Sequence, residues 1–432
     1  MIFTGWRKDG RLDLEAIEMM IRSAMHQAGA AVLTELLRLD PPEGERQGIA
    51  CPCGHRARYR GLRSKAILTA VGPAQLRRPY YLCPHCHEGH FPADVELDVE
   101  NKELSPGVSR MLAVVGSEAP FDHGREQMHL LAGLAVTTKA VERTAEAIGK
   151  DIAFRQQEQI QRAWQLELPV AVGQRLPILY VEMDATGVPV VPAETEGRAG
   201  KVDGEQAHTR DAKLGCVFTQ TKVDEQGRPV RDEDSTTYVG AIETAEEFGR
   251  RIFAQAHRRG WGRAEKEVVL GDGAEWIWNL ADLHFPGALQ IVDLYHAREH
   301  LWKLAVQLFA NDSRQKRWVM ARQDQLDNGR IERLASSLQS LTAQHPELAE
   351  EIRKKADYFL KNAARMRYAQ FRRQKLFVGS GVIEAGCKTV IGARLKQSGM
   401  FWTVRGANAI IALRCCRLSG SFEDYWEARR AA

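Results

Sequence analysis

The stretch that most constrains the fold is residues 176–191, LPILYVEMDATGVPVV. Its β-branched and aromatic residues predict an apolar strand that reaches Asp184, followed by a Thr-Gly turn and a second apolar run. A carboxylate on a central strand is costly to bury unless it is paired or bound to a metal. Asp184 therefore needs partners elsewhere in the chain. Glu182 lies on the same strand face and is either a spare neighbour or a group that supports Asp184.

The size and patterning of the chain indicate an ordinary globular protein with several domains. Its 432 residues exceed what one hydrophobic core usually organises, so we expect about two to four domains. The N-terminal residues 1–37 interleave charged and apolar side chains, unlike a secretory or transit signal. No apolar run approaches the roughly 18 residues of a membrane span. We therefore expect a cytoplasmic protein that does not enter a membrane.

Four of the eight cysteines fall into two Cys-Pro turns. The first turn is Cys51-x-Cys53 and the second is Cys83-x-x-Cys86, with strand-like sequence between them. This pattern is typical of the two knuckles of a zinc ribbon, in which thiolates bind tetrahedral Zn²⁺. Because the first knuckle is one residue short, His55 is an alternative ligand, and a hairpin without metal is the other interpretation.

Basic residues near these knuckles suggest a DNA contact, and the next segment suggests a second one. We select Lys65, Arg77 and Arg78 as candidates in the first region. Residues 125–148 then predict a helix that ends near Gly133 and a second helix that begins at Thr137 or Thr138. A helical pair with this turn is typical of a helix-turn-helix, whose second helix can enter a major groove. The candidate DNA-binding residues there are Thr138, Lys139 and Arg143.

Strands and helices then alternate in a mixed α/β order. After the Asp184 strand come two β-rich runs, a helix that begins at Thr244, a strand that ends at Asp272, and a short strand before Asp293-x-x-His296. Residues 297–375 are almost wholly helical in pattern. Within them, residues 353–375 carry nine Lys or Arg and one acid, with aromatic residues among the charges, so they form either a phosphate-binding surface or a solvated amphipathic helix. Its arginine candidates are Arg365, Arg372 and Arg373.

A third carboxylate follows this segment, beside a Gly-Ser-Gly turn, at Glu384. We expect residues 378–388 to begin a final helix along which Lys388, Arg394 and Lys396 lie. Asp184, Asp272 and Glu384 would repel one another if they met, which makes the arrangement sensible mainly if divalent cations neutralise them. Two Mg²⁺ ions about 4 Å apart can activate an attacking oxygen and stabilise a leaving oxygen in phosphodiester chemistry.

The order Asp, Asp, Glu resembles the DDE triad of RNase H-like transposases and integrases. The phrases VEMDATGVPV, LGDGAEWIW, DLYHAREHLW and GSGVIEAGCKTVIGARLKQSGMFWT are similar to bacterial insertion-sequence transposases of the ISKra group, which are related to Mutator-type enzymes. The resemblance implies an α/β RNase H-like catalytic core with an all-α insertion, preceded by helical, helix-turn-helix-like and zinc-ribbon-like modules. The implied boundaries are 1–47 for the N-terminal helices, 48–100 for the zinc-ribbon-like module, 101–168 for the helix-turn-helix-like region, 169–297 and 377–432 for the core, and 298–376 for the insertion.

The resemblance also implies the roles of single residues. Asp184, Asp272 and Glu384 would bind two Mg²⁺ or Mn²⁺ ions, and Asp293 and His296 would hold the scissile or transferred strand. Lys388, Arg394 and Lys396 would face the DNA end. Trp302 and Trp318 could stack on an unpaired base, although core packing explains them as well.

The implied function is a DNA transposase that cleaves transposon ends and transfers the strand into target DNA. Its partner would be double-stranded DNA, bound by a homodimer or a larger assembly in the bacterial nucleoid. Two alternatives stay open: a transposase-derived DNA-binding protein without catalysis, and a metal-dependent nuclease without strand transfer.

Overall fold

The computed structural model describes residues 7–8, 11–165, 176–200 and 206–430. The chain forms two compact units, residues 1–148 with 428–432, and residues 149–427. The expected boundary between residues 168 and 169 lies outside the described residues. None of the described helices combines the length and the apolar character that a membrane span requires. The overall class is mixed α/β, as the sequence predicts.

The first unit is built on a long antiparallel hairpin within a four-stranded sheet of order β3-β4-β5-β6. Helix α1 packs along β5. The strands are β1 Arg7–Lys8, β2 Arg11–Leu12, β3 Ile49–Ala50, β4 Arg56–Thr69, β5 Gly72–Leu82 and β6 Gly89–His90. The helices are α1 Leu14–Leu36, α2 Pro92–Glu96, α3 Pro106–Glu118, α4 Phe121–Ala132 and α5 Thr138–Trp164, and the last of these extends beyond residue 148.

The expected helix pair is present, but its second helix is longer than predicted. Helix α4 ends at Gly133, whose φ of 67° is left-handed, a conformation that favours glycine. Thr137 caps the next helix, because its Oγ1 accepts the backbone N–H of Ala140 at 3.1 Å. Helix α5 runs for 27 residues to Trp164 and does not stop near Ile148.

The second unit is organised around a five-stranded sheet of order β11-β8-β7-β12-β13. The central strand β7 pairs antiparallel with β8, which pairs antiparallel with β11, whereas β12 is parallel to both β7 and β13. The strands of this unit are β7 Ile178–Pro189, β8 Thr209–Gln220, β9 Lys222–Val223, β10 Pro229–Val230, β11 Thr237–Ala241, β12 Lys266–Gly271 and β13 Leu289–Val292.

The predicted Thr-Gly turn after Asp184 is wrong. Strand β7 continues without a break, with Thr186 opposite Ala212 and Gly187 opposite Asp211. A Cβ atom built on Gly187 would lie 3.0 Å from the Thr209 hydroxyl oxygen, so glycine is favoured here because it lets the two strands approach. The dipeptide therefore marks close packing within a strand.

Two helices connect the strands, and their limits follow from local signals. Helix α6, Ala245–Arg258, begins after Thr244, as the sequence predicts. Thr244 and Glu247 form a capping box in which each side chain accepts the backbone N–H of the other residue. Helix α7, Glu275–His284, follows β12 directly. Between β13 and residue 376 the described structure is entirely helical, comprising α8 Leu294–Leu308, α9 Asp312–Asp327, α10 Ile331–Gln339, α11 Ala349–Lys361 and α12 Tyr368–Arg373 with short 3₁₀ turns between them.

The segment that begins near Val378 is not the final helix that the sequence suggests. Helix α13, Gly381–Gly386, passes into a π-helical stretch, Cys387–Gly392, and the short α14, Ala393–Leu395. Two more helices follow, α15 Val404–Leu418 and α16 Phe422–Arg430. Helix α15 is buried along most of its length and packs against β11.

Candidate functional site

The first two carboxylates meet at one edge of the central sheet. Glu182 on β7 pairs with Leu270 on β12, and Asp184 and Asp272 each follow two residues later. Neighbouring strands lie about 4.8 Å apart, so the register brings these two side chains to the same end of adjacent parallel strands. Asp184 Oδ1 accepts the N–H of Ala185 at 2.6 Å, and Asp272 Oδ1 accepts the N–H of Ala274 at 2.9 Å.

Glu384 joins them from α13, which is held against the same strand. The backbone N–H of Ile383 donates to Glu182 Oε2 at 2.8 Å, which fixes the first turn of α13 over β7. Ser380 Oγ lies 3.4 Å from Glu384 Oε1 and 2.8 Å from Asp293 Oδ2. The exposed carboxylate of Glu384 therefore projects from a turn that is anchored at both ends.

The charges of the three carboxylates act on one another. Burial raises the pKa of Asp184, and the negative charges of Asp272 and Glu384 raise it further. No described Lys, Arg or His forms an ion pair with any of the three. Their oxygens do not all lie within 4.8 Å of one another, since the described groups of that compactness consist of cysteines and histidines. The site is thus an open, uncompensated acidic edge, and it could hold divalent cations.

Glu182 is a fully buried neighbour of this edge. Its side chain is 0% exposed, and Oε1 has no hydrogen-bond partner among the described atoms. Burial raises the pKa of Glu182 to about 8, and the charges of Asp293 and Glu384 add to the increase. Its observed contact is with the backbone of α13, so of the two interpretations of Glu182, the structure favours a supporting group.

Asp293 makes buried structural contacts, whereas His296 is partly accessible. Asp293 is 0% exposed, and its Oδ1 caps α8 by accepting the N–H of His296 at 2.6 Å. Its other oxygen accepts both the backbone N–H and the hydroxyl of Ser380. His296 is partly exposed, and its Nε2 lies 3.2 Å from Nε2 of His300. Asp293 therefore ties α8 to the Glu384 turn.

The helical segment reaches the acidic edge through α11. Tyr358 donates its hydroxyl hydrogen to the carbonyl oxygen of Asp272 at 3.3 Å, and its ring packs on His300 with centroids 4.2 Å apart. Lys355 Nζ lies 3.1 Å from His300 Nδ1. The sequence places Tyr358 only within an aromatic, basic segment, because no short motif links it to Asp272.

The four cysteines of the N-terminal knuckles converge. Cys53 Sγ lies 3.4 Å from Cys51 Sγ and 3.6 Å from Cys83 Sγ, and Cys51 Sγ lies 3.6 Å from Cys86 Sγ. A tetrahedral zinc with Zn–S bonds of about 2.3 Å holds its sulfurs about 3.8 Å apart. The group could therefore bind zinc, and the short Cys-x-Cys knuckle does not prevent convergence.

His55 lies beside the cysteines without replacing one of them. Its Nδ1 is 3.6 Å from Cys53 Sγ, and its ring stacks on His85 with centroids 3.7 Å apart and planes 10° from parallel. Parallel stacked rings direct their nitrogen lone pairs side by side, which is a poor geometry for chelating one ion. The four thiolates are the better ligand set.

The predicted DNA-binding residues differ in their accessibility. Lys388 and Lys396 are exposed, and Lys396 Nζ donates to Thr186 Oγ1 at 2.8 Å on the Asp184 strand. Arg394 is 0% exposed and its guanidinium packs 5.0 Å from the Trp402 ring centroid, so it is not part of a surface. Arg372 and Arg373 are exposed. Arg365 is half-buried and donates to Gln290 Oε1 at 2.6 Å.

The aromatic side chains of the basic segment belong mostly to the core. Phe359 and Tyr368 are 0% exposed, and Phe371 is 4% exposed, so the idea of an aromatic-laced phosphate surface is wrong for these rings. Trp318 is 8% exposed and packs with Phe309, which makes it a core residue. Trp302 keeps 37% exposure.

At the helix pair, the candidate contacts are partly engaged within the protein. Thr138 Oγ1 donates to Asp122 Oδ1 at 2.7 Å, and Lys139 Nζ pairs with Glu142 Oε1 at 2.8 Å. Arg143 is exposed. Arg143 is therefore the most available of the three for an external partner.

Two of the three basic candidates of the hairpin form salt bridges with Asp94. Arg78 Nε donates to Asp94 Oδ1 at 2.7 Å, and Lys65 Nζ lies 3.2 Å from Asp94 Oδ2. Arg78 is 6% exposed and Asp94 is 4% exposed. The assignment of Arg78 as a DNA contact is therefore wrong, and Asp94 takes up the charge of Lys65. Arg77 is exposed.

Comparisons with known proteins give only a faint likeness. No protein-family model matches the chain, and no curated protein matches it. Among solved structures, the Drosophila P element transposase strand transfer complex aligns with a TM-score of 0.25 and 9% sequence identity, over 79% of this chain and 84% of that chain. A score this low does not establish a common fold.

Proposed function

We propose that this protein is a DNA transposase with an RNase H-like core, in which Asp184, Asp272 and Glu384 form the catalytic metal site. Two observations support the proposal: the register of β7 and β12 brings Asp184 and Asp272 to one edge of the sheet, and the hydrogen bond from Ile383 to Glu182 holds the Glu384 helix against β7. Among the described residues, no Lys, Arg or His forms an ion pair with any of the three carboxylates. In chain order, Asp184 lies on β7, the first strand of this sheet, and Asp272 follows β12, the fourth. Glu384 lies on the later helix α13. This is the order that the resemblance to DDE transposases of the ISKra group predicts.

The residues fit Mg²⁺ or Mn²⁺, because both ions prefer carboxylate and water oxygens. Two such ions, when bound, would neutralise the carboxylates and assist phosphodiester hydrolysis and the later attack of a 3′-hydroxyl on target DNA. The protein's own contribution is positioning. Ser380 and Asp293 hold the Glu384 turn, and Glu182 holds α13 on β7. His296 is the accessible group beside the site that could contact the DNA strand.

The proposal extends to the modules and to the assembly. Residues 298–376 would be an insertion into a core formed by 169–297 and 377–432, and the modules 1–47, 48–100 and 101–168 would bind DNA ends. Lys388, Lys396, Arg372, Arg373 and Arg143 are the exposed candidates for DNA contact. Transposition brings the two ends of the transposon together, so the active form would be a dimer or a larger assembly.

The direct test uses the full chain with DNA that carries the ends of its own element, in the presence of Mg²⁺. Cut and joined strands are mapped for the wild type and for Asp184→Asn, Asp272→Asn and Glu384→Gln. Because metal assistance contributes several kcal/mol, each variant should lose at least about a thousandfold in the rate of both steps while still binding DNA. Glu233→Gln, an exposed acid in a loop, should be unaffected.

Each alternative predicts a different product pattern. A nuclease would release cut DNA without joined products, and a binding protein without catalysis would yield neither product. If Asp184→Asn cleaves at the wild-type rate, the assignment of the carboxylates is wrong.

A further inference from the structure

The hairpin formed by β4 and β5 is strongly and uniformly basic. Residues 56–82 contain seven Lys or Arg and no Asp or Glu. Lys65 and Arg78 are neutralised by Asp94 from α2. The remaining five are arginines with exposed side chains: Arg56, Arg58, Arg60, Arg63 and Arg77. Of these five, the sequence alone suggested a role for Arg77 only. The other four exposed arginines carry most of the positive charge that the hairpin presents to solvent.

Three of these arginines line one face of a single strand. Arg56, Arg58 and Arg60 are exposed and alternate with the buried Ala57 and the half-buried Tyr59. Side chains two residues apart on a strand lie on the same face, about 6.8 Å from one another. Each strand of DNA presents one phosphate for about every 3.4 Å of helix axis, so it is a regular array of negative charges. A regular polyanion could therefore meet several guanidinium groups at once.

Arg58 and Arg60 have no side-chain partner among the described residues. No hydrogen bond or ion pair joins Arg58 or Arg60 to another side chain in the part of the chain that the structure describes. Arg56 donates to the carbonyl of Gly48 at 3.1 Å, and the guanidinium of Arg63 lies 5.6 Å from the centre of the Tyr80 ring. Both contacts orient a guanidinium without cancelling its charge.

The base of the hairpin is anchored. Cys51 and Cys53 precede β4, and Cys83 and Cys86 follow β5, so the four sulfur atoms converge at the base of the hairpin. The buried Arg78–Asp94 pair fixes the hairpin farther along. Because the strand that carries this row of arginines is already ordered, binding a partner costs side-chain entropy but little backbone entropy, which favours affinity.

A register shift between Tyr59 and Leu62 brings Arg63 to the same face, since Arg58 pairs with Leu82 and Arg63 with Arg78 on β5. We propose that this arginine face of the hairpin, Arg56, Arg58, Arg60 and Arg63, binds the phosphate backbone of double-stranded DNA independently of base sequence. The choice of DNA as the polyanion rests on the proposed function. Contacts of this kind give a salt-dependent affinity and fix the orientation of the protein on the duplex. The hairpin would thus hold DNA, and recognition of specific bases would belong to another part of the chain.

The test measures the salt dependence of binding by the full-length protein. A labelled duplex of random sequence is titrated without added divalent cations over about 50 to 200 mM KCl. The variant Arg58→Ala/Arg60→Ala should flatten the plot of log K against log salt by roughly 2 units of slope, because two phosphate contacts are lost. Arg58→Lys/Arg60→Lys retains both charges and should keep most of the slope.

A matched control removes the same net charge elsewhere. Arg228→Ala/Arg250→Ala deletes two exposed arginines that are already paired, with Asp224 and Glu246 respectively, and should leave the slope unchanged. Circular dichroism and metal content establish that every variant is folded. A wild-type slope in the Arg58→Ala/Arg60→Ala protein would overturn the proposal. So would a selective loss of binding to one base sequence, since that result indicates base contacts.

Failure of this inference and failure of the proposed function give different results. Wild-type protein that binds DNA through the hairpin but never cleaves element ends supports the inference and contradicts the transposase. Cleavage with an unaltered slope in the Arg58→Ala/Arg60→Ala variant supports the transposase and contradicts the inference. Wild-type protein without affinity for any duplex overturns both.

Discussion

The hydroxyl group of Tyr358 on α11 donates a hydrogen bond to the backbone carbonyl of Asp272 at 3.3 Å. The next residue, Gly273, has a φ of 98°, and a Cβ atom there would lie 2.7 Å from the same hydroxyl oxygen. The tight Asp-Gly turn therefore lets the phenol approach the loop that presents Asp272. Through this contact the helical segment holds the loop that carries Asp272.

Tyr358→Phe should separate positioning from DNA binding. The ring and its packing on His300 are retained, but the bond to the Asp272 carbonyl is lost, which costs about 1 kcal/mol. We expect slower cleavage at the element ends with unchanged affinity for DNA. Single-turnover rates and binding isotherms measure the two effects. An unchanged rate would show that the hydrogen bond does not position Asp272.

Glu182 should tolerate an amide but not an aliphatic side chain. Glu182→Gln keeps an acceptor for the N–H of Ile383, whereas Glu182→Leu leaves that buried donor unsatisfied, at a cost of about 1 to 3 kcal/mol. Urea unfolding should therefore show a lower midpoint for the leucine variant, and cleavage should fall in parallel as the Glu384 helix loosens. Equal effects of the two substitutions would argue against a role in holding α13.

His300 should make stability depend on pH. Burial, together with the charge of Lys355, lowers the pKa of His300 to about 4 from 6.5. As the pH falls below about 6.5, the unfolded imidazole binds a proton and the folded one does not, so stability is lost between about pH 6.5 and pH 4. With allowance for partial exposure, the loss is about 2 kcal/mol.

The comparison that tests this uses His300→Gln. Its urea midpoint should fall less than that of the wild type between about pH 7 and pH 5. Parallel declines in the two proteins would mean that other groups cause the acid sensitivity.

Metal content should distinguish the cysteine ligands from the neighbouring histidine. We expect one Zn²⁺ per chain in purified protein, retained in His55→Ala and lost in Cys83→Ser. Because structural zinc contributes directly to folding, chelation or Cys83→Ser should lower the melting temperature of the N-terminal unit. Loss of zinc from His55→Ala would instead indicate that His55 is a ligand in place of a thiolate.

The sequence predicted features that depend on local pattern, and it failed where tertiary contacts decide. The central strand, the helix start at Thr244 and the Cys-Pro turns each carry their signal within a few residues. The continuation of β7 through Thr186 and Gly187 depends instead on pairing with β8, which begins twenty residues after the end of β7, at Thr209. Burial of Arg394 and of the aromatic side chains in the basic segment likewise depends on distant neighbours.

The adjacent residues Arg77 and Arg78 differ in burial in a way that the sequence did not predict, and they provide a final prediction. Both are basic residues of β5, but alternation along a strand sends them to opposite faces. Arg77 reaches solvent, whereas Arg78 meets Asp94, sixteen residues away, and its guanidinium lies 4.1 Å from the Phe91 ring centre. Arg78→Ala would leave the buried Asp94 with Lys65 as its remaining cationic partner.

Breaking a buried ion pair by removing one partner costs about 3 to 5 kcal/mol. Arg78→Ala should therefore lower the unfolding midpoint of the N-terminal unit substantially, whereas Arg77→Ala should change its stability by less than about 0.5 kcal/mol. Urea titration of the two single variants measures both effects, and equal losses of stability would contradict the assignment of Arg78 to the core.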